Sequence, residues 1–237
     1  MLTRELARQA TAEALGTALL VSVVIGSGIY AQRLSPHDPG LQLLENSFAT
    51  GAGLVALILA FGPVSGAHFN PVVTLADRLL GGIGGVAASV YVAAQIVGAC
   101  IGAIVANLMF SLDAINISHH SRSSGALWLG EFVATLGLLL VILGVVRSGR
   151  ATVAPFAVGS YIAAAYWFTS STSFANPAVT IARTLSNTFA GIKPSSVPAF
   201  IVVQVLGALA AVGLARFLHP DTPAVDVVVP HEHADPA

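Results

Sequence analysis

Two asparagine-proline turns, far apart in the chain, limit what it can fold into. One stands in Ser65-Gly66-Ala67-His68-Phe69-Asn70-Pro71-Val72-Val73-Thr74, the other in Ser173-Phe174-Ala175-Asn176-Pro177-Ala178-Val179-Thr180. Each is a loop of small residues that becomes a helix at Asn-Pro. Asparagine caps a helix N-terminus well, and proline suits the first helical position because its missing N–H would go unpaired there. The apolar runs that follow end at charges, Asp77-Arg78 and Arg183. They predict helices of roughly 10–12 residues, which cross about half of a 30 Å hydrocarbon core. Such half-helices in corresponding parts of a membrane protein point to a transport site.

Composition agrees with a membrane setting. Of 237 residues, 55% are hydrophobic and 9% charged, and the charges cluster between long apolar runs. A net charge of −1 points to no nucleic acid and to no electrostatically steered acidic partner. The apolar stretch Ala14–Ala31 is long enough to span, and no small-residue cleavage site leads from it into a soluble domain. The single cysteine, Cys100, excludes a disulfide framework and reads as a small buried residue.

Hydropathy and breakers predict six spans, roughly 12–31, 46–62, 86–110, 126–146, 152–168 and 197–218, with half-helices at 70–80 and 176–185. Gln32–Leu44 reads as a polar loop, and the second span is expected to stop before Pro63. The halves repeat: Glu13-Ala-Leu-Gly-Thr answers Glu131-Phe-Val-Ala-Thr, and Gln95-Ile-Val-Gly-Ala answers Gln204-Val-Leu-Gly-Ala. Glu-to-Asn separations are roughly 57 and 45 residues, an excess assigned to the Gln32–Leu44 loop. Three spans per half is odd, so the halves lie with opposite orientations, as an inverted repeat. The expected organisation is one transmembrane channel domain over 1–218, with repeats at about 12–110 and 126–218. The Pro-, Asp- and His-rich stretch 219–237 is expected as a disordered cytoplasmic tail, and its His231-Glu232-His233 forms no closed ligand set. Arg4, Arg8, Arg147, Arg150 and Arg216 against Arg33, Arg122 and Lys193 place both termini in the cytoplasm.

Irregular backbone at membrane depth is tolerated only inside protein or along a watery cavity. The loops before the two asparagines must therefore line something. With opposed orientation, both helix N-termini meet near the midplane with their partial positive charges. The side-chain amides of Asn70 and Asn176 can then donate to a passing solute. The carbonyls of Gly66, Ala67, His68, Thr172, Ser173 and Phe174 offer a ladder of acceptors. Such a lining suits a neutral hydroxylated molecule and rejects a cation.

Over nearly its whole length the chain resembles the aquaporins, the major intrinsic protein family. The resemblance rests on Ser-Gly-Ala-His-Phe-Asn-Pro, the second Asn-Pro-Ala, Glu13 and Glu131, and Gln95 and Gln204. It implies an all-α membrane protein of six tilted helices plus two re-entrant half-helices, one pore per subunit, and a homotetramer in the inner (plasma) membrane. It further implies that Glu13 and Glu131 hold the re-entrant loops through hydrogen bonds and that Gln95 and Gln204 support them. No cofactor, metal or catalytic residue is implied.

Departures from the family pattern bear on the solute. The first motif reads Asn70-Pro71-Val72. The second places Val179 where water and glycerol channels carry arginine, and Thr180 where glycerol channels carry aspartate. By the same resemblance the selectivity filter falls on Thr50, Tyr166 (or Ala165), Ser173 and Val179. That ring lacks a fixed cation and the guanidinium's five donors, so it is expected to pass solutes larger than water. Valine for arginine with a non-aromatic second-span residue looks like the bacterial aquaporins linked to arsenic resistance, which implies arsenous acid and glycerol beside water. The alternatives are a glycerol/urea or ammonia facilitator of the same fold, or a closed-pore junction protein. An intramembrane enzyme lacks a paired base or metal cluster at midplane depth.

Several residues have plainer readings. Arg183 either sits at the outer mouth in place of the missing arginine or, the commoner fate, snorkels to the interface. Asp77 and Arg78 are expected solvated or paired at the cytoplasmic mouth, and His68 is expected to contribute its carbonyl. His119-His120 reads as ordinary loop, and Gly98-x-x-x-Gly102 as a close helix contact.

Overall fold

A computed structural model describes residues 3–219. The tail beyond His219, with its His231-Glu232-His233, lies outside them. In chain order the helices are α1 (Arg4–Leu34), α2 (Pro39–Ser65), α3 (Pro71–Leu80), α4 (Gly85–Met109), α5 (Gly125–Arg147), α6 (Ala154–Phe168), α7 (Pro177–Ala182) and α8 (Val197–Leu218). All but α3 and α7 belong to segments long and apolar enough to cross a membrane, six in number. The protein is thus an all-helical, multi-pass membrane protein with two short re-entrant helices.

The packing repeats between the halves. α1 lies along α4 as α5 lies along α8, and α2 meets α6 across the centre. Close approach is allowed by missing side chains. A Cβ on Gly98 or Gly102 would collide with the backbone of Ala14 or Ala18 in α1, and the Ser22 hydroxyl donates to the Gly102 carbonyl at 3.0 Å. At the α2–α6 crossing, Gly51 and Gly159 face each other so closely that either Cβ would meet the other's carbonyl oxygen.

Three expectations need correction. Gln32–Leu44 is not a loop: α1 runs to Leu34 and α2 begins at Pro39, with the Asp38 carboxylate accepting from the Leu41 N–H at 2.9 Å as its cap. The extra residues of the first half sit in α2 itself, 27 residues long against 15 for α6. α2 also continues through Pro63 to Ser65, because one turn from its end the missing N–H costs a single ladder bond. Cys100 is only partly buried.

Candidate functional site: a cavity between two half-helices

Each half-helix is capped by its own asparagine. Asn70 Oδ1 accepts from the Val72 N–H at 3.1 Å, and Asn176 Oδ1 accepts from Ala178 and Val179 at 3.0 and 3.2 Å. That leaves the amide nitrogens to face across. Asn70 Nδ2 donates to the Ala175 carbonyl at 2.7 Å, and Asn176 Nδ2 donates to the Phe69 carbonyl at 2.8 Å. The two loops therefore clasp one another reciprocally at the middle of the chain's fold. Each amide carries two hydrogens, so one remains on each asparagine. α3 has ten helical residues, but α7 has six before tightening into a 3₁₀ turn at Arg183–Leu185. The second half-helix is shorter than the predicted span of 176–185.

The loops leading into the caps share one backbone path. Gly66, Ala67 and Phe69 have φ of 80°, 49° and 49°, and Thr172, Ser173 and Ala175 have 62°, 49° and 46°. Left-handed backbone costs a non-glycine residue on the order of 1–2 kcal/mol, so something must hold it. Two buried carboxylates do. Glu13 accepts from the Ser65 hydroxyl (2.6 Å), the N–H groups of His68 (3.0 Å) and Phe69 (2.7 Å), and the Gln95 amide (2.7 Å). Glu131 accepts from the N–H groups of Phe174 (2.7 Å) and Ala175 (2.9 Å) and from the Gln204 amide (2.7 Å). Both carboxylates are 0% exposed. The same two amides also reach the first turn of each half-helix, Gln95 to the Thr74 hydroxyl at 3.0 Å and Gln204 to the Thr180 hydroxyl at 2.9 Å. Charge-assisted bonds of this kind are worth about 1.5–3 kcal/mol each, enough to offset the strained turns.

Between the loops runs a cavity of about 60 Å³, room for a short file of waters at about 10–15 Å³ per position. Its apolar wall includes Leu20, Val24, Leu54, Ile58, Leu138 and Ile142. Both asparagines line it, as do Thr50, Tyr166, Ser173 and Val179. The Thr50 and Tyr166 hydroxyls stand 3.1 Å apart. Ala165 is not part of the lining. Of the loop residues, Ala67, His68, Ser173 and Phe174 line the cavity, whereas Gly66 and Thr172 open the left-handed turns outside it.

Three side chains depart from their sequence reading. Arg183 does not snorkel. It is 2% exposed, lines the cavity, donates from Nε to the Ala190 carbonyl, and lays its guanidinium carbon 3.4 Å from the centre of the Phe174 ring. The ring of Thr50, Tyr166, Ser173 and Val179 brings no cation to the cavity, but Arg183, one turn further along, does. Asp77 is not solvated; at 0% exposure it faces His68, with Oδ2 3.6 Å from Nε2. His68 also uses its ring, Nδ1 lying 3.1 Å from the Thr74 hydroxyl. Charge alone did not distinguish these two buried residues from exposed Arg78.

The 111–124 loop packs against the chain that follows α7. Its Asn116 and Ser118 N–H groups donate to the Leu185 and Thr184 carbonyls at 2.9 Å each, and Arg122 Nε donates to the Gly191 carbonyl at 3.0 Å. By sequence alone Arg122 is one charge in a polar loop. Its guanidinium carbon lies 5.0 Å from the Phe174 ring centre.

Comparison with known proteins agrees with this geometry. The family model described as major intrinsic protein matches residues 1–173. The chain is 50% identical over 214 residues to the aquaglyceroporin AqpS of Rhizobium meliloti, covering 90% of this chain and 91% of that protein. It is 33% identical over 188 residues to the glycerol uptake facilitator protein of Pseudomonas aeruginosa, covering 68% and 66%. The crystal structure of the aquaglyceroporin from Plasmodium falciparum superposes with a TM-score of 0.69 at 22% identity, over 91% of this chain and 96% of that one.

Proposed function

The chain belongs to the major intrinsic protein family, whose members are passive channels and not enzymes, and on that premise we propose that it is a wide neutral-solute pore. Water, glycerol and arsenous acid are its solutes. The observation that carries this reading is the make-up of the cavity wall. Valine stands at 179, the hydroxyls of Thr50 and Tyr166 face inward, and Leu20, Val24, Leu54, Ile58, Leu138 and Ile142 give the wall a long aliphatic stretch. A polyol or a trihydroxy acid can trade its hydration for the asparagine amides, the loop carbonyls and these hydroxyls, while its uncharged body meets the aliphatic wall. A metal ion or proton has no such exchange, because the inward-facing amides and the N-terminal ends of α3 and α7 oppose positive charge.

The unit of assembly in this reading is a homotetramer in the plasma membrane, each subunit with its own pore and both termini in the cytoplasm. The positions of Arg4, Arg8, Arg147, Arg150 and Arg216 support that orientation. Glu13, Glu131, Gln95 and Gln204 hold the loops, and Asn70 and Asn176 meet the solute.

Proteoliposomes in stopped-flow light scattering test the reading, challenged first with sucrose and then with glycerol, with arsenite uptake followed in parallel. Permeation of water, glycerol and arsenite well above bare lipid is expected, with sucrose excluded. Vesicles that pass water but neither glycerol nor arsenite would reduce the protein to a water channel. Vesicles as tight as bare lipid to every solute would reject an open pore.

A further inference from the structure

We propose that Arg183 supplies the fixed cation of the outer pore, reaching back along α7 into the level that Val179 leaves without one. This rests on the channel reading above and adds to it the residue that sets the pore's charge selectivity.

The geometry follows from the helix. Arg183 comes four residues after Val179, so the two share one face about one turn apart. Side chains on a helix lean toward its N-terminus. α7 starts at Asn176 inside the fold and leads toward the 111–124 loop. A long side chain at 183 therefore leans inward, back toward 179. Both residues line the same cavity, together with Thr50, Tyr166 and Ser173.

The guanidinium is also fixed in place with donors to spare. Among the described residues its only hydrogen-bond partner is the Ala190 carbonyl, which takes Nε. The two terminal amino groups donate to no protein atom there, and neither is sealed away as a buried unpartnered group. They carry four N–H bonds and face the cavity that the residue lines. The Phe174 ring beneath the guanidinium is itself held edge-to-face by Phe200, at 5.3 Å and 70°. Cation–π stacking and one backbone bond thus set the plane of the fork. A solute oxygen arriving at this level meets a rigid cationic fork. A cation meets a charge that cannot move aside.

The space differs from an arginine at 179. A side chain that enters from one turn further out leaves the wall at 179 aliphatic. The pore can be wide and still carry a positive charge, so width and charge selectivity are set by different residues.

The test uses full-length protein in liposomes with an internal pH dye, reporting proton flux relative to osmotic water flux. Arg183→Gln keeps side-chain donors and removes the charge. Its proton-to-water flux ratio is expected to rise roughly tenfold or more, the scale of removing one fixed charge from a poorly solvated pore. Arg183→Lys keeps the charge and should stay near the wild-type ratio. The exchange Val179→Arg with Arg183→Gln should restore exclusion while slowing glycerol, because a guanidinium then replaces the aliphatic wall at 179. A merely structural role for Arg183 would lower stability in all three without ordering their flux ratios by charge. A ratio unchanged in Arg183→Gln, or as leaky in Arg183→Lys as in Arg183→Gln, overturns the proposal. If Arg183→Gln does not reach the membrane, the exchange variant decides: tight to protons supports it, leaky overturns it. Wild-type vesicles impermeable to every neutral solute would sink the channel reading instead, a separate failure.

Discussion

The hydroxyls of Thr50 and Tyr166 lie 3.1 Å apart within the cavity wall, a buried contact that joins α2 to α6. One of them must donate to the other, which leaves a donor or lone pair for a solute at the same level. Tyr166→Phe keeps the ring's width and removes one hydroxyl. Losing a hydrogen bond worth about 1 kcal/mol slows a permeating polyol roughly fivefold. Water should slow less, since waters in file replace the lost bond with one another. Stopped-flow permeabilities to glycerol and water, taken on one vesicle preparation, check this. Equal slowing of both would show that the hydroxyl pair has no part in choosing between solutes.

Glu13 and Glu131 predict an asymmetry. A carboxylate accepts at both oxygens, but glutamine turns one end into a donor, which then confronts an N–H of the loop it holds. Glu13→Gln sets that clash among four donors, from Ser65, His68, Phe69 and Gln95. Glu131→Gln sets it among three, from Phe174, Ala175 and Gln204. Each change should cost about 2–4 kcal/mol, with Glu13→Gln the larger. Thermal unfolding midpoints in detergent should fall in that order. A Glu131 variant less stable than the Glu13 one would contradict the bond inventory.

What the sequence made legible, and what it hid, divides along one physical line. The Asn-Pro turns, the paired glutamates and glutamines and the apolar spans were readable because each is a short local pattern with a forced consequence. Asn70 and Asn176 had to cap, and the loops before them had to line a cavity. The length of α2 was hidden because its first turn carries Pro39, Gly40 and Gln42, which look like loop. Gln42 is nonetheless buried and bonded, its amide donating to the Ser35 carbonyl at 2.7 Å. Asp77 and Arg183 were misjudged for a related reason. A charge at a half-helix end can face water or turn back into the fold, and only the partner decides. Those partners are His68 and the Phe174–Ala190 corner, distant in pattern though near in space.

The 111–124 loop should respond to acid at His120. Burial, then the charge on Arg122, then His119 hold its imidazole below the ordinary histidine range. A base whose folded pKa is lowered binds more protons when the loop opens, so its share of loop stability is complete above about pH 6.5 and declines as pH falls. The group is largely solvated, so the effect is local. Protection from hydrogen exchange, taken relative to the intrinsic rate at each pH, should fall between about pH 7 and pH 5 across 111–124 and at the Lys193 N–H that donates to the His120 carbonyl at 2.7 Å. His120→Asn should flatten that dependence. Equal pH response in wild type and His120→Asn would assign it to another group.

Gly102 offers a test of helix packing alone. A Cβ there would enter the backbone of Ala18, and the Gly102 carbonyl accepts the Ser22 hydroxyl at 3.0 Å. Backbone cannot yield as a side-chain tip does, so Gly102→Ala must push α4 away from α1. Overpacking of this kind costs typically about 1–3 kcal/mol. Ser22→Ala removes only the hydrogen bond, about 0.5–1.5 kcal/mol. α1 also carries Glu13, so a shift of the helix pulls on the first re-entrant loop. Gly102→Ala should therefore lower both the thermal midpoint and the water permeability per channel, while Ser22→Ala lowers the midpoint alone. If Gly102→Ala is as stable and as permeable as wild type, the α1–α4 contact has slack that its geometry does not allow.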